Sequence, residues 1–397
     1  MLQAIEKYQD RLINKFNIKY KRYLFKEIDF NDKMIAIFGA RGVGKTTILL
    51  QRLQELRSQG KNTLYISLDY PFLAGSDLLE LVEEIVNKEY EYLLLDEVHR
   101  FTNFSLYLKS IYDIYDIKIL FTSSSATSIL NAKSDLSRRV TLYNLKGFSF
   151  REFLEYKNNT SLKAYMLKDV LDNHLNISKN IDINNILEEF KEYLEVGYYP
   201  FYFDKSSSFY QNLTNTINLT IDIDLPSLGL IEQKYSYKLK KLLEVICESE
   251  PFEVNYTKIA QMAEISRVKL YDYISYLADA ELILLINQAT KGLKKINKPA
   301  KIYLNNPNLI YAYCQSQKIG TIRESFFANQ VSVKNDIKVS NIGDFLVNNR
   351  FIFEIGGKNK GFKQIKDTPN SYIVADDIEI GSGNKIPLWL FGFLYWY

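Results

Sequence analysis

At 397 residues, 47% hydrophobic and 24% charged, the chain has an ordinary globular composition and exceeds one small core, so two or three domains are expected. No apolar stretch follows Met1, and the longest apolar run, IPLWLFGFLYWY, is too short to span a bilayer and reads as a buried terminal strand, so a cytoplasmic protein with no membrane partner is expected. The net charge of +3 is uneven: residues 291–366 hold 14 Lys/Arg against 4 Asp/Glu, as in a nucleic-acid-facing half or a solvated lysine-rich surface. Cys247 and Cys314 stand far apart, which argues against a disulfide framework or a cysteine-rich zinc site.

The first strong pattern is MIAIFGARGVGKTT. Met34–Phe38 reads as a buried strand, and the chain from Thr46 has helical periodicity. Between them Gly39, Ala40, Arg41, Gly42, Val43, Gly44, Lys45, Thr46 and Thr47 fit the P-loop spacing. The glycines let backbone N–H groups close around phosphate oxygens, and the helix N-terminus adds its dipole. Lys45 is expected to reach the β- and γ-phosphates of ATP, and the Thr46 hydroxyl to bind Mg²⁺. Some fifty residues on, YEYLLLDEVHR is an apolar strand ending in Asp96-Glu97. Asp96 is placed to hold the magnesium through water and Glu97 to polarise the attacking water. His99 receives no role. Further strands are expected at 63–68, 117–123 and 140–145, with helices between them. That alternation implies a parallel, doubly wound α/β sheet with ligands at its carboxyl edge.

GARGVGKTT, LLLDE, FTSSSA, DLSRRV, LKGFSFREFLEY, YLEVGYYPF and KPAKIYLNNPNL, in that order, resemble a group of bacterial and archaeal AAA+ ATPases that carry a C-terminal domain of unknown function. The resemblance implies that Thr122 or Ser123 senses the γ-phosphate. It also implies that Arg138 or Arg139 is an arginine finger acting on a neighbouring subunit's ATP in a homo-oligomer. A strand-end hydroxyl capping the next helix and a plain surface arginine pair are the alternatives at those positions.

Residues 149–235 read as a helical lid broken at Gly197 and Pro200. Beyond it, Asn255 and Ser266 can cap two short helices that precede the strand LILLIN, a winged-helix pattern. Arg267 and Lys269 on the second helix, with Lys291, Lys294, Lys295 and Lys298 in the wing, are the candidate DNA contacts. Near the end, GDFLVNNRFIFEIGGKNK reads as a hairpin that sets Asp344 opposite Glu354 across a three-residue loop. With Glu324 on the preceding helix, these acids resemble the magnesium site of PD-(D/E)xK nucleases. The family lysine would fall at Gly356, and the nearest candidate, Lys358, lies two residues beyond.

The expected order is therefore a P-loop AAA+ core (1–148), a helical lid (149–235), a winged helix (236–310) and an α+β nuclease-like domain (311–397). The expected function is Mg²⁺-dependent ATP hydrolysis coupled to a DNA-associated process. The alternatives are an ATP-dependent switch for a protein partner and an ATP-gated, metal-dependent nuclease.

Overall fold

The computed structural model describes all residues except 74–76, 102, 125–135, 137, 205, 250–254, 289–298 and 396–397. The wing lysines Lys291, Lys294, Lys295 and Lys298 lie outside the described residues. The chain divides into two compact units, one of Met1–Lys146 with Asp222–Glu232, the other of Gly147–Ile221 with the chain from Gln233 onward.

The first unit is built on a parallel sheet of β1 (Met34–Phe38), β2 (Thr63–Ser67), β3 (Tyr92–Asp96), β4 (Lys118–Ser123) and β5 (Thr141–Asn144), in the order β2-β3-β4-β1-β5. A parallel sheet covered on both faces needs continuous apolar strands, and TLYIS and YLLLD supply them, buried almost throughout. Helices α1 (Leu2–Lys15), α4 (Leu78–Asn87) and α5 (Phe104–Ile114) feed Leu2, Ile5, Val82, Ile85, Leu108 and Ile111 into one cluster with Leu64, Ile66, Leu93 and Leu95. Each such side chain contributes about 1.5–3 kcal/mol by leaving water. Helix α3 (Lys45–Ser58) follows β1 directly and buries Ile48, Leu49, Leu53 and Leu56. Because β1 and β3 flank β4, the carboxyl ends of all three open onto one edge, and the functional residues of the unit collect there.

In the second unit the helix Phe150–Asn158 starts with a reciprocal capping box between Ser149 and Glu152. Phe150, Phe190, Tyr193 and Phe326 pack ring against ring, with Phe190 and Phe326 centroids 4.8 Å apart. Asn255 and Ser266 cap the helices Tyr256–Met262 and Arg267–Asp279, as the sequence suggests. These lead into an antiparallel pair, β6 (Ile283–Asn287) and β7 (Pro299–Leu304). A mixed sheet follows, of β8 (Ile337–Val339), β9 (Phe345–Val347), β10 (Phe351–Gly356), β11 (Ser371–Ala375) and β12 (Lys385–Pro387). Its order is β12-β11-β10-β9-β8, antiparallel from β8 to β10 and parallel from β10 to β12.

Two sequence expectations are corrected here. The terminal apolar run is not one strand: β12 ends at Pro387, which has no N–H to continue a ladder, and Leu388–Phe393 is a buried 3-10 helix. The two cysteines are not isolated either, because folding brings Cys247 and Cys314 into a disulfide across a separation of 67 residues.

Candidate active site

The loop between β1 and α3 is shaped by its glycines. Gly39 has φ 149°, and a Cβ there would stand 2.2 Å from the Leu145 carbonyl oxygen, so any side chain would force the loop off β5. Gly42 and Gly44 also have positive φ, and Gly44 is the N-cap of α3. Lys45, the first helical residue, is buried, and its ammonium donates to the carbonyls of Gly39 and Ala40 at 2.9 Å each. A glycine-shaped loop that leads into a helix N-terminus beside a buried lysine is suited to hold a phosphate.

The end of β3 faces this loop. Thr46 Oγ1 donates to Asp96 Oδ2 at 2.7 Å, Tyr65 donates to the same oxygen at 2.9 Å, and Thr122 donates to Asp96 Oδ1. Burial, and then the neighbouring Glu97 carboxylate, push Asp96 above the usual carboxylate range, while the three hydroxyls pull it back. A hydroxyl and a buried carboxylate 2.7 Å apart fit a hard divalent cation, whose charge would favour the ionised form. Thr122 also accepts a hydrogen bond from the Glu97 N–H at 3.0 Å, so it fixes both acids. Glu97 has a left-handed backbone (φ 56°), and its Oε2 is buried without a hydrogen-bond partner among the described residues. A carboxylate oxygen held in this way can accept a proton from water.

Three residues of the site have no signal in the sequence. Tyr65 reaches Asp96 from β2. His99 sits 3.3 Å from Glu97 Oε2 and 3.0 Å from Ser124 Oγ. Burial lowers His99 to about 4, so it is neutral near pH 7. Asp224, from a segment more than a hundred residues downstream, binds Arg41 and Arg100 with contacts of 3.0 Å. Only its packing in three dimensions places it here.

Residues 31–154 match the family described as AAA domain. Residues 187–318 match a domain of unknown function, DUF8612. Two proteins of Methanocaldococcus jannaschii are similar to this chain. The uncharacterized protein MJ1637 is 29% identical over 314 residues, covering 73% of this chain and 66% of that protein. The uncharacterized protein MJ1544 is 26% identical over 355 residues, covering 84% and 74%. Thus the matched part spans about two thirds of the first relative's length. Among solved structures, AMPPCP-bound DnaA from Aquifex aeolicus is 16% identical at a TM-score of 0.29, covering 67% of this chain and 90% of that one. So distant a likeness carries no functional weight.

Within the first unit the two arginines after β4 part company. Arg139 is held by Asp113 in its own chain, with contacts of 2.8 and 2.9 Å, whereas Arg138 is exposed. Ser123 is buried at the end of β4, opposite Phe38 in register. The sensor expectation therefore divides: Thr122 orients the two acids, and Ser123 lies beside the start of the P-loop.

In the second unit, Arg267 and Lys269 are exposed on the first turn of their helix. The hairpin pairs Phe345 with Phe353 and Val347 with Phe351, so Asp344 does face Glu354 across the loop Asn348–Arg350. Lysines answer the buried charge. Lys301 reaches Glu324 at 3.1 Å and Asp344 at 3.8 Å, Tyr303 donates to Glu324 at 2.5 Å, and Lys360 pairs with Glu354. Among the described residues no group of three or more His, Cys, Asp or Glu is arranged to hold a metal. In this structure Glu324, Asp344 and Glu354, the expected cation site, are instead ion-paired with lysines. Lys358 is exposed and is not the partner of Glu354.

Proposed function

We propose that this chain binds and hydrolyses ATP with Mg²⁺. One observation carries the reading: Thr46, Asp96, Thr122 and Glu97 form a single hydrogen-bonded set at the mouth of the Lys45 loop. In it, Gly39 to Thr47 hold the phosphates, Thr46 and Asp96 hold the cation, and Glu97 polarises the attacking water. Arg138 acts as the finger on a neighbouring subunit, since Arg139 is committed to Asp113. Arg138→Ala should bind ATP and hydrolyse it poorly, and mixing it with Lys45→Ala protein should restore part of the rate. Undiminished turnover in Arg138→Ala would remove that role.

The second element of the proposal is a nucleic-acid partner, with residues 236–310 as a winged helix and 311–397 as a nuclease-like fold kept for binding. A patch of which the sequence marked only Lys269 supports it. Lys234, Lys238 and Lys269 place their ammonium groups 5.0, 5.9 and 5.1 Å from the Tyr235 ring centroid, beside exposed Tyr237 and Val268. Rings interleaved with lysines suit a phosphate backbone with unstacked bases. Replacing all three lysines by Gln should weaken single-stranded DNA binding and flatten its log–log salt slope by ~0.7 per lost contact. An unchanged slope would return the patch to an ordinary solvated surface. ATPase rates with and without DNA separate this reading from a nucleotide switch: strong stimulation favours the former, and a slow, DNA-insensitive rate favours the switch.

A further inference from the structure

Asp224 is the most enclosed carboxylate near the phosphate cradle that the proposed hydrolysis does not use. Its side chain is 2% exposed, yet two guanidinium groups converge on it. Arg41 Nη1 donates to both oxygens, at 3.1 and 3.0 Å, and Arg100 Nη2 lies 3.0 Å from Oδ1. His99 stands 3.9 Å from the same oxygen and is neutral, so two full positive charges meet one negative charge. The arginine side chains keep 29% and 23% of their surface open. The anion is sealed while its partners retain an accessible side.

The position of these arginines is informative. Arg41 belongs to the P-loop itself, and Arg100 follows Glu97 by three residues. One nitrogen of His99, Nε2, neighbours both Glu97 Oε2 and Asp224 Oδ1, at 3.3 and 3.9 Å. Asp224 and the proposed water-activating residue therefore share one neighbouring nitrogen. The phosphorus attacked by that water must also lie beside Glu97. A planar guanidinium fork fits phosphate oxygens as well as it fits a carboxylate.

We infer that Arg41 and Arg100 read the terminal phosphate of the nucleotide, and that Asp224 is their resting counter-ion, which the terminal phosphate displaces. The inference rests on the reading of the P-loop as an ATP site. Asp224 then acts as an internal competitor. It weakens binding of any nucleotide that cannot offer a third phosphate, and it weakens ATP by the cost of its own release. Arg41 and Arg100 are positioning and specificity residues, and Asp224 sets the threshold at which they engage.

The test is calorimetric titration of the full chain with ATP and with ADP, both with Mg²⁺, in the Glu97→Gln background so that ATP is not consumed. Arg100→Gln should weaken ATP about tenfold and leave ADP within about twofold, the size of one lost charge-assisted contact. Asp224→Asn should shift the ATP-to-ADP preference about tenfold the other way, towards ATP. An unchanged preference in Arg100→Gln would overturn the inference while leaving nucleotide binding intact. That single variant decides the matter if Asp224→Asn does not fold. Failure of the Glu97→Gln parent to bind either nucleotide would overturn the P-loop reading, and this inference with it.

Discussion

Glu97→Gln protein will bind ATP normally and hydrolyse it ~10²-fold or more slowly, the loss expected when a general base is removed. The substitution is nearly isosteric. Glu97 makes its backbone hydrogen bond to Thr122 through the N–H, not the side chain, so the local geometry survives. The Oε2 that would take the proton has no hydrogen-bond partner among the described residues, and replacing it with an amide leaves no site for a proton. Lys45→Ala, by contrast, will lose ATP binding itself, because phosphate charge within the loop is no longer neutralised. A calorimetric titration paired with a phosphate-release assay distinguishes the two variants. Normal turnover in Glu97→Gln would show that another residue activates the water.

The second large effect lies in the other unit. Lys301 is buried between Glu324 and Asp344, which are themselves buried. Lys301→Met will keep the volume and remove the charge, leaving two carboxylates without their cation at a cost of about 3–5 kcal/mol in urea unfolding. Burial already pushes Asp344 above the usual carboxylate range. Its folded state therefore holds the proton more tightly than its unfolded state, and stability falls as pH rises through that raised value. Adding Glu324→Gln to Lys301→Met should restore part of the loss. A loss below about 1 kcal/mol would mean the cluster is solvated in practice. If lysines rather than a cation balance these acids, Mg²⁺ will not raise the melting temperature of Lys45→Ala protein, in which the nucleotide site is disabled.

The placement of the Gly39–Thr47 loop beside the Asp96-Glu97 pair was legible because consecutive residues at strand ends form both. The parallel sheet followed from the alternation of apolar runs and helices, whereas its strand order needed the structure. What escaped was everything assembled across distance. Asp224 meets Arg41 across 183 residues, and a lone aspartate in TIDIDLPS has no local pattern to mark it. Tyr65 looks like any core residue of β2 until its hydroxyl is placed against Asp96. The hairpin shows both sides of the matter. Its loop length fixed the facing of Asp344 and Glu354, since side chains on paired strands are set by register. The choice of lysine was hidden, because strand spacing ceases to apply after Gly356. There the chain turns, with the Lys360 N–H donating to the Gly357 carbonyl at 2.9 Å. A Cβ at Gly356 would lie 2.7 Å from the Lys360 side chain, so the missing side chain is what admits that lysine.

The Cys247–Cys314 bond joins the last turn of the helix Ser236–Glu248 to the residue that ends the helix Pro307–Tyr313. It turns the stretch between them into a covalent ring that contains both capped helices and the β6–β7 pair. An unfolded chain tied in this way has fewer arrangements to explore, which in the chain-entropy account is worth about 4 kcal/mol for a ring of this size. One backbone cut inside the ring opens it without releasing a fragment, so a nicked chain stays in one piece until a reductant reaches the sulfurs.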